Sequence, residues 1–356
     1  MQGASPSTVR RAIDERDPFP GGYGFAGKID GTLVRDVLGR YPLFSEPDDP
    51  TTWSADPTEL RDPLAVPAGC RRTVTGDERL WTVPEPEPCE DDERVIGKLR
   101  SAVIAAVDAI EEPIPIAFSG GIDSSILAAR LEGPLYVGGF EGSHDVDAAR
   151  SAADALDREL TVVEFTHHDI ERAVPDIVSA TGRRNAMDVA IALPLYLVAE
   201  VVAADGHDRL AVGQGADELF GGYAKVAKAP TDPRVEAKTV RGAASETIAG
   251  LPAQLERDVL TIRAAGLEPV APLLGDSVVT TALRLPGHLL VDGDERKVAL
   301  RRSASFLPEP IRSREKKAVQ YGSLVSRELD RLARQAGFKR RMDDHVGQYI
   351  DSLTRQ

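Results

Sequence analysis

The 356-residue sequence predicts an α/β fold: a parallel sheet with helices on both faces, an α-rich C-terminal part and a small β-rich N-terminal module. Three observations predict it. From Asp91 onward, short apolar runs alternate with stretches of helical periodicity, as in successive strand–helix–strand units. Beyond about residue 234 the strand signals fade and helical patterns dominate. Before residue 83 the chain is rich in Pro, Gly and Asp and carries only brief apolar stretches.

The elements follow in order. Residues 1–82 form the N-terminal module, whose apolar stretches are Thr32–Leu38 and Pro42–Phe44. Val83-Pro84-Glu85-Pro86-Glu87-Pro88 cannot be helical, because alternate prolines remove donors and push their neighbours to extended geometry. Residues 83–90 therefore read as a linker, and 91–356 as the second domain. Val95, Leu99, Val103, Val107 and Ile110 recur at helical spacing behind acidic first-turn residues. Pro113–Phe118 is a buried strand that ends at a Ser-Gly-Gly turn, with a helix over Ser124–Leu131. Leu135–Phe140 and Leu160–Phe165 are strands on either side of a helix at Asp145–Leu156. Pro194–Ala204 is helical and Leu210–Val212 is again a strand.

Composition narrows the function. Hydrophobic residues at 42% allow a packed core. Lys+Arg 43 against Asp+Glu 57 gives a net charge of −14, which argues against a nucleic-acid binder with a general basic face. Cys70 and Cys89 are too few for a disulfide framework or an all-cysteine zinc site. No run approaches 18 apolar residues and Met1–Asp14 lacks an apolar signal core. Neither a membrane span nor a secretory leader is expected, and the expected location is cytoplasmic.

Two segments carry chemistry. Ser119-Gly120-Gly121-Ile122-Asp123-Ser124-Ser125 places a glycine turn between a strand and a helix, where backbone N–H groups can meet an anion. It is not a G-x-x-x-x-G-K-[ST] loop, since no Lys follows the second Gly. A carboxylate inside an anion site is repulsive unless a cation bridges it, so Asp123 reads as a Mg²⁺ ligand; the plain alternative is a helix-capping Asp. Val212 to Tyr223 (VGQGADELFGGY) follows a strand, at the sheet edge where open α/β sheets bind ligands.

The first segment resembles the S-G-G-x-D-S pyrophosphate loop of the N-type ATP pyrophosphatases. The second resembles the G-E-G-x-D-E-[LV]-F-G-G-Y signature of asparagine synthetases and the related β-lactam synthetases, and the two lie about 90 residues apart. The resemblance covers roughly residues 91–325 and implies an adenine nucleotide alpha hydrolase-like fold that uses ATP and Mg²⁺. It implies Asp123 and Asp217 as metal ligands. It places Phe118, Ser119, Gly120, Gly121, Asp123, Ser124, Gly138, Val212 and Gly213 around ATP. Arg314-Glu315-Lys316 resembles the family's R-x-K, so Lys316 would neutralise phosphate charge. Gln214 and Arg257 complete the implied catalytic set. Leu267-Glu268 resembles part of an E-x-R-x-P segment in the helical half, and Gly142-Ser143-His144-Asp145 the loop after the second strand.

The N-terminal module has a counterpart as well. Arg35-Asp36-Val37-Leu38-Gly39-Arg40-Tyr41-Pro42-Leu43-Phe44 resembles the R-D-x-L-G-x-x-P-L-[FY] strand pair of the family's glutaminase domain. That domain is about twice as long and uses a Cys after the initiator Met, where this chain has Gln2. A truncated module without glutaminase activity is implied. Two further departures bear on substrate. Gln214 stands where asparagine synthetases carry Glu, and an amide cannot take a proton from an attacking amine. The E-x-R-x-P-F-L-D segment becomes Glu268-Pro269-Val270-Ala271-Pro272-Leu273-Leu274-Gly275, with the Asp shifted to Asp276.

The implied activity is an ATP-dependent, amide-forming ligase of amino-acid biosynthesis. It activates a carboxylate as an acyl-adenylate, with asparagine synthesis from aspartate and ammonia as the leading case. Ammonia would come from solution or a separate glutaminase. A β-lactam-synthetase-like ligase of another carboxylate and a non-catalytic nucleotide- or partner-binding descendant are the alternatives. The partners are small molecules, with no nucleic acid or membrane, and a homodimer is the candidate assembly.

Overall fold

The computed structural model describes residues 1–229, 231–314 and 318–355. The chain divides into two compact units. One comprises Met1–Glu111, Gly213–Glu256 and Ala271–Phe306; the other comprises Glu112–Val212, Arg257–Val270 and Leu307–Gln356.

The first unit opens with β1 (Gln2–Gly3) and a helix α1 (Pro6–Glu15) that strand and turn signals did not disclose. Its start is nevertheless written in the chain, because Ser5 accepts a hydrogen bond from Thr8 N and Pro6 occupies the first turn. The strands β2 (Phe25–Ile29), β3 (Thr32–Arg35), β4 (Phe44–Ser45), β5 (Trp53–Ser54), β6 (Leu64–Ala65), β7 (Cys70–Thr73) and β8 (Gly76–Arg79) follow. They form an antiparallel sheet in the order β1-β2-β3-β7-β8 and a smaller one in the order β5-β4-β6. Ala26, Leu33, Leu43 and Val66 close the core between them, with Tyr41 and Trp53 packed on it. The Pro-rich stretch holds no regular element but is tied down: Arg241 Nη2 donates to Pro86 O at 2.8 Å, and Cys89 N to Arg284 O at 2.8 Å. Helix α2 (Asp92–Asp108) starts where expected, with Asp91 capping Arg94 N. It buries Val95, Ile96, Leu99, Val103 and Val107, each contributing roughly 1.5–3 kcal/mol of transfer free energy.

The second unit holds the parallel sheet. In chain order it includes β9 (Ile116–Ala117), α3 (Ile122–Ala128), β10 (Leu135–Gly139), α4 (His144–Ala155), β11 (Leu160–Glu164), α5 (His167–Thr181), α6 (Ala186–Ala204), β12 (Arg209–Ala211) and β13 (Glu268–Val270), with further helices in its C-terminal part. All pairings are parallel, in the order β11-β10-β9-β12-β13, so the strand order reverses between β9 and β12. Helices cover both faces, as two adjacent glycines of β10 demonstrate. A Cβ on Gly138 would meet Phe165 Cζ at 2.3 Å and Val198 of α6, while one on Gly139 would meet Ser143 and Val146 of α4. Successive strand residues face opposite ways, so α4 and α6 lie on opposite sides.

One expectation needs correction. Strand signals do not end at residue 234: Glu268–Val270, expected in a helical segment, is β13, the fifth strand of the sheet. A three-residue strand containing Pro269 leaves too little periodicity to detect. Helix α6 is long and apolar enough to cross a membrane by length and composition, at mean hydropathy 1.9, although Asp188 and Glu200 interrupt its apolar run. It is 56% buried within the protein and packs on β10 and α5, as a core helix does.

Candidate active site

The Ser119-Gly120-Gly121 turn leaves β9 beside β12, at the reversal of strand order where doubly wound sheets bind ligands. Gly120 is left-handed (φ +67), and a Cβ there would lie 2.4 Å from Ala148 O. Only glycine allows the turn to run this close to the backbone of α4. Ser119 N donates to Ser124 Oγ at 3.2 Å and Ser124 Oγ donates to Gly121 O at 3.2 Å, so the two serines fix the turn from within. Gly121 is the N-cap of α3 and offers no side chain, so the first amides of the helix are not consumed by a side-chain cap. Asp123 is 9% exposed, more buried than a crevice position suggests, as is the whole of α3. The shape suits an oxyanion group. A hard carboxylate beside it suits Mg²⁺.

The other implied ATP contacts in this unit are placed around the same sheet edge. Phe118 and Val212 are almost fully buried, and their amides are spent on Tyr136 O (2.7 Å) and Val270 O (2.9 Å). Gly138 is covered by Phe165 and Val198. Ser143 caps α4 by accepting from Val146 N, and its Oγ donates to Gly322 O at 2.9 Å. Asp145 is buried against Gly322, where a Cβ would lie 2.1 Å from Asp145 Oδ1. Arg314 holds α4, donating to Ala148 O and, through Nη2, to Ser151 Oγ at 2.8 Å. Ala148 O thus meets both the Gly120 turn and the Arg314 guanidinium. Lys316 lies outside the described residues. Arg257 is buried with Nη1 on Asp188 Oδ1 (2.8 Å) and Nε on Asp258 Oδ1 (2.7 Å), so carboxylates of its own unit engage two of its nitrogens.

The second motif belongs to the first unit from Gly213 onward, so the two carboxylates read as metal ligands fall in different units. Gly215 is left-handed (φ +84) and a Cβ there would lie 2.2 Å from Leu274 Cδ2. Gln214 is half-buried. Asp217 Oδ1 pairs with Lys297 Nζ at 2.8 Å. Lys297 is 7% exposed and has φ +59, an unfavourable backbone for a lysine, stabilised by its fit against Asp217 and Gly222. Sequence reading missed Lys297, because nothing in Glu295-Arg296-Lys297 distinguishes it from a surface basic residue. Glu218 is buried, accepts a hydrogen bond from Tyr223 Oη, and has its pKa raised to about 7, chiefly by burial and then by the charge of Asp217. Among the described residues no three His, Cys, Asp or Glu side chains form a preformed metal cluster. Asp217, half-exposed, and Asp123 are hard oxygen donors of the kind Mg²⁺ takes one or two at a time.

Comparisons with known proteins agree with the family resemblance that the motifs carry. The asparagine synthase family model matches residues 95–257 and 249–352, leaving the N-terminal module outside it. A putative glutamine-hydrolysing asparagine synthetase 1 of Methanocaldococcus jannaschii is 28% identical over 295 residues, covering 72% of this chain and 54% of that protein. Asparagine synthetase B of Escherichia coli K12 is 26% identical over 232 residues, covering 59% and 41%. The chain thus spans about half the length, or less, of these curated relatives. Among solved structures, an NMN synthetase from Francisella tularensis matches at 11% identity and TM-score 0.33, over 75% of this chain and 94% of that one. An NH3-dependent NAD synthetase from Campylobacter jejuni matches at 12% identity and TM-score 0.30.

Proposed function

Because the chain belongs to the asparagine synthase family, we propose that it is an ATP-dependent ligase that activates a carboxylate as an acyl-adenylate and passes it to a nitrogen nucleophile. The observation that carries the reading is the Ser119–Gly121 turn at the strand-order reversal, with Gly120 against α4 and the start of α3 left without a side-chain cap. The substrate carboxylate attacks the α-phosphorus of ATP. Pyrophosphate leaves and the acyl-adenylate forms; the amine then displaces AMP. Backbone amides at Gly120, Gly121 and Ile122 hold the leaving pyrophosphate, and Ser119 and Ser124 keep the turn in shape. By the resemblance of Arg314-Glu315-Lys316 to the family's R-x-K, Lys316 would neutralise charge on the phosphates. By the resemblance, Asp123 and Asp217 would hold Mg²⁺, whose charge would offset that on the α-phosphate under attack and on the leaving pyrophosphate.

Aspartate is the leading carboxylate and ammonia the leading nucleophile. The ammonia would be supplied from solution or by a separate glutaminase. One observation favours a second carboxylate: Gln214, an amide, cannot serve as a proton acceptor for an attacking ammonium. Pyrophosphate release from ATP and Mg²⁺, measured over a panel of amino acids with and without ammonium, tests both. Aspartate-dependent pyrophosphate with ammonium-dependent asparagine is the expected result. Adenylation of another carboxylate alone replaces the substrate but keeps the ligase; silence with every carboxylate refutes the ligase.

A further inference from the structure

The N-terminal module carries two buried arginines whose partners lie far along the chain in the same unit. Arg40, 6% exposed, lies between Asp36 and Asp276, its Nη2 2.7 Å from Asp276 Oδ1. Asp276 is fixed to the module from two more directions. Gly21 N donates to its Oδ2 at 2.9 Å, and its own N–H donates to Gly22 O at 2.9 Å. Gly24 is left-handed, and a Cβ there would strike Arg40 Cδ at 2.6 Å, so the loop closes directly over the guanidinium stem. Two residues before Asp276, Leu274 fills the space that Gly215 leaves in the Gly213–Tyr223 loop. Arg35, 2% exposed, runs a parallel course: its Nη1 donates to Glu256 Oε2 at 3.0 Å, and Gln254, one half-turn earlier, meets Tyr223 Oη at 3.1 Å.

The two arginines therefore reach the two ends of one functional loop, Gly215 and Tyr223, each through a single intervening segment. A buried ion pair is weak evidence for stability, since desolvation offsets most of its attraction, but it fixes geometry. We propose that the N-terminal module serves as a brace for the Gly213–Tyr223 loop, with Arg35 and Arg40 as positioning residues. The module would thus have a task in the ligase half. The consequence for turnover rests on the ligase reading; the bracing does not.

The test compares Arg40→Met, Arg40→Lys and Asp276→Asn in the full chain by hydrogen–deuterium exchange and by the dependence of pyrophosphate release on Mg·ATP. Arg40→Met should speed exchange in 213–223 by about tenfold and leave the β10 peptide unchanged, because only the local opening equilibrium moves. Arg40→Lys, which keeps the charge, should restore slow exchange. The half-saturating Mg·ATP concentration should rise in Arg40→Met at unchanged folded fraction, whereas mere loss of folded protein lowers the rate alone. Should Arg40→Met not fold, Asp276→Asn, which keeps an acceptor for Gly21 N–H, should show the same effects at smaller size. Wild-type exchange in 213–223, with loosening confined to 17–24 and 272–276, overturns the brace. If the wild-type protein releases no pyrophosphate with any carboxylate, the ligase reading fails and exchange alone decides the brace.

Discussion

Replacing Gly120 by alanine should damage the protein more than the same change at Gly215, although both glycines are left-handed (φ +67 and +84). Alanine in that backbone region costs about 1–2 kcal/mol at either site. The difference comes from what the new methyl meets. At Gly120 it would lie 2.4 Å from Ala148 O, 2.6 Å from Ala148 C and 2.8 Å from Ala149 N, all backbone of a packed helix that cannot swing aside. Overpacking of that kind adds about 1–3 kcal/mol, for a total of roughly 2–5 kcal/mol. At Gly215 the obstacles are side-chain atoms, Leu274 Cδ2 at 2.2 Å and Cγ at 2.7 Å, and a buried leucine can turn aside in part where a helix backbone cannot, so the total should fall below that at Gly120. Urea unfolding of both variants, followed by circular dichroism, measures the gap directly. Mg·ATP binding should be lost in Gly120→Ala, because the turn must shift away from α4. Equal unfolding midpoints, or wild-type nucleotide affinity in Gly120→Ala, would refute the steric reasoning.

Four further outcomes are expected. Asp123→Ala should abolish pyrophosphate release while circular dichroism stays near wild type; normal turnover would remove Asp123 from the metal site. This chain should produce no glutamate from glutamine, because Cys70 is buried and Cys89 lies in the Pro-rich stretch, and detectable glutamate disproves this. Gln214→Glu should raise product formed per pyrophosphate released, since a carboxylate can take the proton from the attacking amine; an unchanged ratio argues against a base at this position. In Mg²⁺-free buffer, stability should fall as pH rises from about 5 to 7, because folded Glu218, with a pKa of about 7, keeps a proton that the unfolded chain has released. The effect is bounded at roughly 3 kcal/mol and should vanish in Glu218→Gln, which unfolding at a series of pH values will show.

Most of the parallel sheet was legible because its strands are framed by strong punctuation. Pro113 and Ser119 bracket β9, and the Gly142-Ser143 turn, with Ser143 as the cap, marks the step from β10 to α4. The first motif was legible for the same reason: a turn that must approach a helix backbone admits only glycine, and the chain displays it. Helix α1 was hidden in a Pro- and Gly-rich region, where its Ser5 cap and Pro6 start resemble ordinary loop composition. Strand β13 was hidden by its length. The pairing of Lys297 with Asp217 spans more than 70 positions of chain, and no local pattern encodes that closure or the burial of Glu218. The pairing of Arg40 with Asp276 is invisible for the same reason, even though both residues stood in segments singled out by resemblance.

Strand β13 has a consequence for how the protein behaves at high concentration. Glu268 N donates inward to Asp208 O, and Val270 O accepts inward from Val212 N. Backbone polar groups alternate sides along a strand, so the residue between them, Pro269, is the one turned away from β12. Any other residue there would present a free N–H to a passing chain; proline presents none. The rim of the sheet is thereby denied its central donor, which discourages edge-to-edge association between molecules.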